Sequence, residues 1–578
     1  MSTAVESVDF DRLSPYEKRT FVPEGADLLN KDEVVALYQV LLDRAVDTRE
    51  NLEQWVRDRS EFESALDQAG DVLYIKMTCQ TDNPEYVRDY KNFQEIIVPA
   101  IRPLNDRLNR KYLDLRETIE IDPEFYRIYD REIRTDIELY REENVELHTR
   151  ISALSQEYQA ICGAMTIEFQ SGELTLPQAG KFLLDPDRKV REDVWRKVAG
   201  RRLKDRDRLN ELFDQLLAPR HRIAVNAGFP NFMEYQFKAY HRFDYTPDDV
   251  RQYHRSIEEA VLPLSARIME HRRKKMGVEK LRPWDTAVDI LGRSPLRPFD
   301  DVNQLKEKTA KIFHRIDPQL GGQFDEMREL GLLNLASRKG KAPGGYQNVL
   351  AEARKPFIFM NAVGVDRDVM TLLHEGGHAF HSLACADQPL HDYRHAPMEF
   401  CEVASMAMEL LGSKYLEEFY SAKDKQRSRQ QHFEDIIYTL VWVAAIDAFQ
   451  QWIYLHPEQT AAERTRAWRD IYQRFGGDSV DWSGFEDVRD VLWHRQLHIF
   501  EVPFYYIEYG IAQLGALQLW RNAQNDQTEA VADYKKGLTL GGSRPLPELY
   551  KTAGIRFDFS KTTIEPLVRA VERELDLT

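Results

Sequence analysis

Cysteine is scarce in this chain: four in 578 residues, at Cys79, Cys162, Cys385 and Cys401. None forms a C-x-x-C pair, so neither a disulfide framework nor a dithiol redox motif is written into the sequence, and a reducing compartment is expected. The sequence also lacks any uninterrupted apolar run of about 18 residues, the length a membrane-spanning helix needs. Met1 to Phe21 carries charges throughout and has no apolar stretch of the kind that marks a secretion signal. A cytoplasmic protein without a membrane partner is the expectation. Basic excess is missing as well: 79 Lys plus Arg stand against 96 Asp plus Glu, a net charge of −17. Such a balance repels phosphate backbones, so nucleic acid is not an expected partner. The densest basic runs, Arg196–Arg208 and His271–Lys275, are interleaved with acidic and apolar residues and read as solvated helix faces. There is no fixed-period repeat and no low-complexity tract.

What is present describes a folded, mainly helical protein. Hydrophobic residues make up 43% and charged residues 30%, too apolar a mixture for a disordered chain. At roughly 150 residues per domain the length allows about four units, although large helical enzymes often merge such units into fewer bodies. Apolar residues recur at spacings of three and four in Ile137–Tyr158, Val250–Met269 and Phe433–Tyr454, which predicts helices. Breaks are marked by Pro and Gly near Asp82–Pro84, Asp185–Asp187, Gly228–Pro230, Pro295–Pro298 and Gly340–Gly345. Tyr346–Leu350 and Pro356–Val363 depart from the helical pattern, combining β-branched and aromatic residues, and read as short strands. A small sheet there would offer an open strand edge, which can pair with an extended peptide.

The chemistry concentrates after the second strand. From Asp366 the chain reads Asp-Arg-Asp-Val-Met-Thr-Leu-Leu-His-Glu-Gly-Gly-His-Ala-Phe-His-Ser-Leu. Asp366 and Asp368 suit a helix N-terminus, and Val369, Leu372, Leu373, Phe380 and Leu383 make an apolar stripe. Four residues at about 100° each bring His374 and His378 within roughly 40° of one another, so both imidazoles can reach one metal ion. Glu375 is one position round, beside the ion rather than on it, where it can take a proton from an attacking water. Imidazole and carboxylate donors suit zinc, and a catalytic site takes three protein ligands, leaving a fourth position for water.

Glu402 lies 24 residues after His378 on a second helical pattern, Met398–Leu411, and is the first choice for the third ligand. Glu399 and Glu409 are rivals on the same broad face, His381 is a nearer rival one turn beyond His378, and Cys401 would point away from the face of Glu402. Gly376 and Gly377 sit mid-helix, where each is unfavourable by about 0.8–1.0 kcal/mol relative to Ala. A helix that tolerates two of them is expected to be approached closely by something else.

These residues resemble the thimet oligopeptidase and oligoendopeptidase F group of zinc peptidases. The likeness rests on His374-Glu-Gly-Gly-His378, on Glu399-Phe-Cys-Glu402-Val-Ala-Ser405, and on Pro503-Phe-Tyr-Tyr-Ile-Glu-Tyr509 following His498. It runs in order and spacing over about residues 200–578. Gly376 stands where the family usually has a larger apolar residue, and the spacing from His498 to the tyrosines differs from the thimet type. The resemblance implies a two-lobed helical body with a deep substrate channel, and a division into an N-terminal helical lobe, 1–200, and a catalytic region, 201–578. It further implies oligopeptide substrates, one Zn2+ per chain with Glu402 as third ligand, and His498, Tyr505 and Tyr509 acting on the substrate carbonyl. His494 is the lesser substitute for His498, and Phe504 and Tyr506 are read as core aromatics. Pro503 is expected to end or bend the preceding element and Tyr505 to begin a helix running through Leu519, which puts Tyr505 and Tyr509 on one face. A zinc-dependent endopeptidase is the expectation. The alternatives are a carboxypeptidase or dipeptidyl carboxypeptidase of similar fold, or a non-catalytic peptide-binding relative.

Overall fold

The computed structural model describes Phe10, residues 13–170 and residues 172–577. Helices dominate, as the apolar spacing predicts. Phe433–Tyr454 lies within one long helix, Ala422–Leu455. That helix is long and apolar enough to cross a membrane, yet 72% of its most apolar stretch is buried inside the protein, so core packing accounts for its composition.

Two of the expected helices are interrupted. Val250–Met269 falls into Pro247–Ser256, a π-helical turn Ile257–Val261, and Leu262–Lys275. Pro263 has no N–H to close an α-helical bond, and the turn before it widens. Ile137–Tyr158 breaks between helices Arg127–Leu139 and Asn144–Gly163. There the buried Asn144 amide donates to the Ile223 carbonyl at 3.1 Å, a tertiary bond that the apolar pattern does not reveal.

The chain forms two compact units, each assembled from three segments. The first comprises the chain up to Glu138, Arg297–Lys425 and Gly515–Phe557; the second comprises Leu139–Leu296, Gln426–Leu514 and Asp558–Thr578. This differs from a linear division at 200/201. Three of the boundaries fall within helices Arg127–Leu139, Ala422–Leu455 and Ile507–Asn525, where local composition does not change.

In the first unit, strand Lys355–Ala362 is the centre of a three-stranded sheet, with Leu333–Ala336 parallel on one side and Tyr346–Leu350 antiparallel on the other. The sequence pattern marks the last two of these in chain order. Leu333–Ala336 carries no β-branched residue and follows a helix, so nothing local distinguishes it. The central strand leads through Gly364, at φ +90, into helix Asp366–Ala384. Asp368 fixes that turn: its carboxylate accepts the N–H groups of Val363, Gly364 and Val365 at 2.8, 2.8 and 3.0 Å. After this helix the chain is fastened to Arg49–Cys79, with the His391 N–H donating to Ser60 Oγ at 2.6 Å and Arg394 to Ser64 Oγ at 2.5 Å. The connection delivers helix Met398–Gly412 against the first.

The second unit packs helices Arg206–Asn226 and Ala422–Leu455 around Phe213, Phe449, Trp468, Trp493 and Phe500. It also holds a hairpin, Thr166–Phe169 with Gly172–Thr175, whose short strands the pattern does not mark.

Candidate metal centre

Helices Asp366–Ala384 and Met398–Gly412 cross at the double glycine. A Cβ on Gly377 would stand 2.4 Å from the Ala404 carbonyl oxygen and 2.6 Å from Ser405 Cα, and a Cβ on Gly376 would stand 2.5 Å from Phe313 Cζ. Gly377 therefore admits the backbone of the second helix, and Gly376 admits the buried Phe313 ring, which also packs edge-on against Phe380 at 4.8 Å. The close approach expected from sequence is thus the second helix itself. It carries Glu402 to the motif.

The donor atoms of His374, His378 and Glu402 all lie within 4.8 Å of one another. Both imidazoles present Nε2 to the same carboxylate oxygen: Glu402 Oε2 is 3.4 Å from His374 and 3.7 Å from His378. The rings are nearly perpendicular, at 81° and 4.9 Å between centroids. Ser405 Oγ donates to the same Glu402 oxygen at 3.0 Å, which orients the carboxylate from its own helix. On the far side of His374, Nδ1 meets Glu409 Oε1 at 2.7 Å. Glu409 is therefore a partner of a histidine and not a member of the three-atom group, and its bond to Nδ1 turns Nε2 of His374 toward Glu402.

The other rivals stand elsewhere. His381 is buried beside the Phe400 ring at 5.7 Å, Cys401 Sγ points to the Ala396 carbonyl at 3.4 Å, and Glu399 is buried outside the group of three donors.

Electrostatics mark the centre as short of positive charge. Burial pushes the Glu375 carboxyl up to about 7, with the neighbouring Glu402 and Glu409 adding to the rise against His374 and the Gln347 backbone amide. Burial likewise raises Glu402. Burial disfavours His374 as a cation, but the Glu409 bond together with the charges of Glu409, Glu402 and Glu375 outweighs it and pushes it up to about 10. His378 is held well below the ordinary range by burial and by the charge of His374. Three acidic side chains thus crowd the two histidines, and a dication at the converging donors would favour the acids' charged forms.

His498, Tyr505 and Tyr509 lie together in the second unit. His498 Nδ1 is 2.7 Å from the Gln496 amide, and its ring stands 5.9 Å from Tyr505 and 5.8 Å from Tyr509, which are 5.6 Å from each other. Burial pushes His498 down to about 4. Two expectations change here. Tyr506 is half-buried in this same cluster, 4.6 Å from the His498 ring, rather than in the core. Tyr505 precedes the helix, which begins at Ile507, because Phe504 adopts φ +69 and breaks any regular continuation. Phe504 is fully buried, as read from the sequence. His494 is buried and bonded to Asn210 at 3.1 Å, away from the tyrosines.

Comparison with known proteins fits this geometry. The solved structure of PZ peptidase A with an inhibitor aligns at a TM-score of 0.87 with 27% identity, covering 96% of this chain and 98% of that one. An oligoendopeptidase F homolog from Borreliella burgdorferi is 23% identical over 470 residues, 77% of this chain and 75% of that one. Oligopeptidase PepF from Bacillus subtilis is 22% identical over 320 residues, 54% of this chain and 47% of that protein, so the match spans about half its length. The model of peptidase family M3 matches residues 182–568, a span that takes in the metal-centre helices and the tyrosine cluster alike, and the chain is a metallopeptidase belonging to that family.

Proposed function

We propose that this chain is a zinc-dependent endopeptidase of short oligopeptides, with one zinc held by His374, His378 and Glu402 and with Glu375 as general base. The observation that carries the reading is the convergence of two imidazole nitrogens on one carboxylate oxygen at 3.4 and 3.7 Å. Two ligand atoms each about 2.0–2.1 Å from a tetrahedral ion stand roughly 3.3–3.4 Å apart, so the two imidazole–carboxylate distances suit zinc. When bound, the ion supplies Lewis-acid polarisation and makes the attacking water more acidic.

Glu375 accepts the water's proton at its carboxylate and can return it to the leaving amine, and its buried position disposes it to hold that proton between the two steps. Glu409 keeps His374 in the tautomer that donates from Nδ1. The phenol hydroxyls of Tyr509 and Tyr505, with His498, are assigned as donors to the charge that develops on the carbonyl oxygen. This assignment rests on the family resemblance and on the clustering of the three rings. A cytoplasmic site of action belongs to the same proposal, supported by four cysteines that form no disulfide.

The test is hydrolysis of an unstructured peptide, in free and C-terminally amidated forms, before and after chelation and zinc restoration. The proposal expects zinc-restored internal cleavage of both forms and no cleavage of a folded protein. Cleavage confined to the free form would assign a carboxypeptidase, and activity indifferent to chelation would overturn the zinc reading.

A further inference from the structure

Phe504 is in the left-handed backbone region although its side chain is a bulky aromatic, a conformation that such residues rarely adopt. It is one of four non-glycine residues with positive φ among the described residues, and a second, His241, is adjacent to the side chain that grips it. The Phe504 ring is fully buried and packs on Phe237 and Tyr454 at 5.9 and 5.2 Å. Its backbone is held on both sides. Gln450 accepts the Phe504 N–H through Oε1 at 2.8 Å, and Arg242 donates from Nη2 to the Phe504 carbonyl at 2.6 Å. The same Arg242 nitrogen lies 2.6 Å from Oε1 of Glu508, in the first turn of helix Ile507–Asn525.

One buried guanidinium therefore joins residues 504 and 508, the two ends of the turn that presents Tyr505 and Tyr506 and leads directly into Tyr509. The side chains of Arg242 and Glu508 are 1% and 4% exposed, and Gln450 is fully buried. A buried ion pair is a weak device for stability, because apolar residues of equal volume often do as well. Its geometry is specific, however. Were Phe504 to relax to the ordinary negative φ, the chain would rotate by more than a right angle about its N–Cα bond. Tyr505 would then leave its place beside His498.

We propose that Arg242 and Gln450 are positioning residues, which hold Phe504 in the left-handed turn so that Tyr505, Tyr506 and Tyr509 gather on His498 in a fixed arrangement. The inference rests on the reading of Tyr509 and Tyr505 as donors in peptide hydrolysis. Strained conformations persist where the surroundings over-determine them, and here two side chains from separate segments do so.

The test is a kinetic cycle on the zinc-loaded protein. Arg242→Met is expected to lower kcat by about 10- to 100-fold, the scale of a misplaced reacting group, with KM and zinc content little changed. Arg242→Lys, which keeps the charge and loses the fork, should recover part of the loss. Because Arg242→Met takes the guanidinium away from the buried Glu508 and could fail to fold, Arg242→Met/Glu508→Leu is made beside it; it should regain thermal stability while kcat stays low. In a Tyr509→Phe background the Arg242 substitution should add little further loss, a non-additive cycle. Recovery of kcat along with stability, or losses that multiply independently, would overturn the positioning role while leaving the tyrosine reading intact. Tyr509→Phe at the normal rate would overturn the tyrosine reading and this proposal with it.

Discussion

The metal centre and the tyrosine cluster are built by opposite means. In the first unit two regular helices carry every donor, and the decisive distances follow from helical spacing plus a crossing that Gly377 permits. In the second unit the clustered tyrosine rings sit on an irregular turn whose shape comes from Phe504 at φ +69 and from Arg242 and Gln450, which are 262 and 54 residues away in sequence. The first arrangement is local chemistry repeated on a rigid rod. The second is a tertiary clamp on a strained backbone, and it should fail differently when disturbed.

The largest effect is expected within the metal centre. Glu375→Gln keeps the shape of the side chain and removes its ability to accept a proton, so peptide hydrolysis should fall by about 10²–10⁴-fold or more while bound metal is retained. Steady-state rates together with metal analysis check this, and turnover near the normal rate would take the base away from Glu375. Tyr509→Phe comes next, with kcat lowered by about 10²–10³-fold, KM changed far less and the ring's packing kept. Similar losses for Tyr505→Phe and Tyr506→Phe would show that the cluster acts as one unit, and a silent Tyr506 would confine the chemistry to the pair named from the sequence.

Much of the metal centre is legible in the sequence because its information is short-range. His374 and His378 are one helical turn apart, Glu402 lies on the next helix, and the double glycine announces a close neighbour even though it does not name Phe313 or Ala404. The role of Glu409 is visible only once the helices cross, since a carboxylate seven residues beyond Glu402 reads equally as ligand, partner or surface group. The tyrosine turn is legible in composition alone. Helical spacing places Tyr505 and Tyr509 on one face, yet Tyr505 lies outside the helix, and nothing near Pro503 predicts a left-handed phenylalanine. The same limit applies to strand Leu333–Ala336 and to the unit boundaries, which depend on what packs against a segment rather than on its own residues.

Gly377→Ala sharpens the comparison at smaller cost to the molecule. Its Cβ would press on the Ala404 carbonyl, so the helices should move apart with a loss of about 1–3 kcal/mol in stability and weaker metal binding. Calorimetry and metal titration check it, and an unchanged variant would mean that the crossing is not tight.

The smallest effect is expected at Asp71, whose carboxyl burial pushes up to about 7, despite the bond from Asn348 at 3.1 Å and with Asp67 and His391 nearby. Its folded pKa exceeds the unfolded value of about 3.9, so the native state holds the proton to higher pH and stability declines as pH rises from about 4 to about 7. Asp71→Asn removes that decline, and its Tm should approach the wild-type value near pH 4 and exceed it at pH 8. Parallel Tm curves would leave the carboxyl solvated.

The central claim is that three named side chains hold one metal ion, and elemental analysis of the purified chain beside its His378→Ala variant tests it most directly. About one zinc per wild-type chain, largely lost in the variant while the helical fold is kept, is the result predicted here. Undiminished zinc in His378→Ala would place the metal elsewhere and contradict the account.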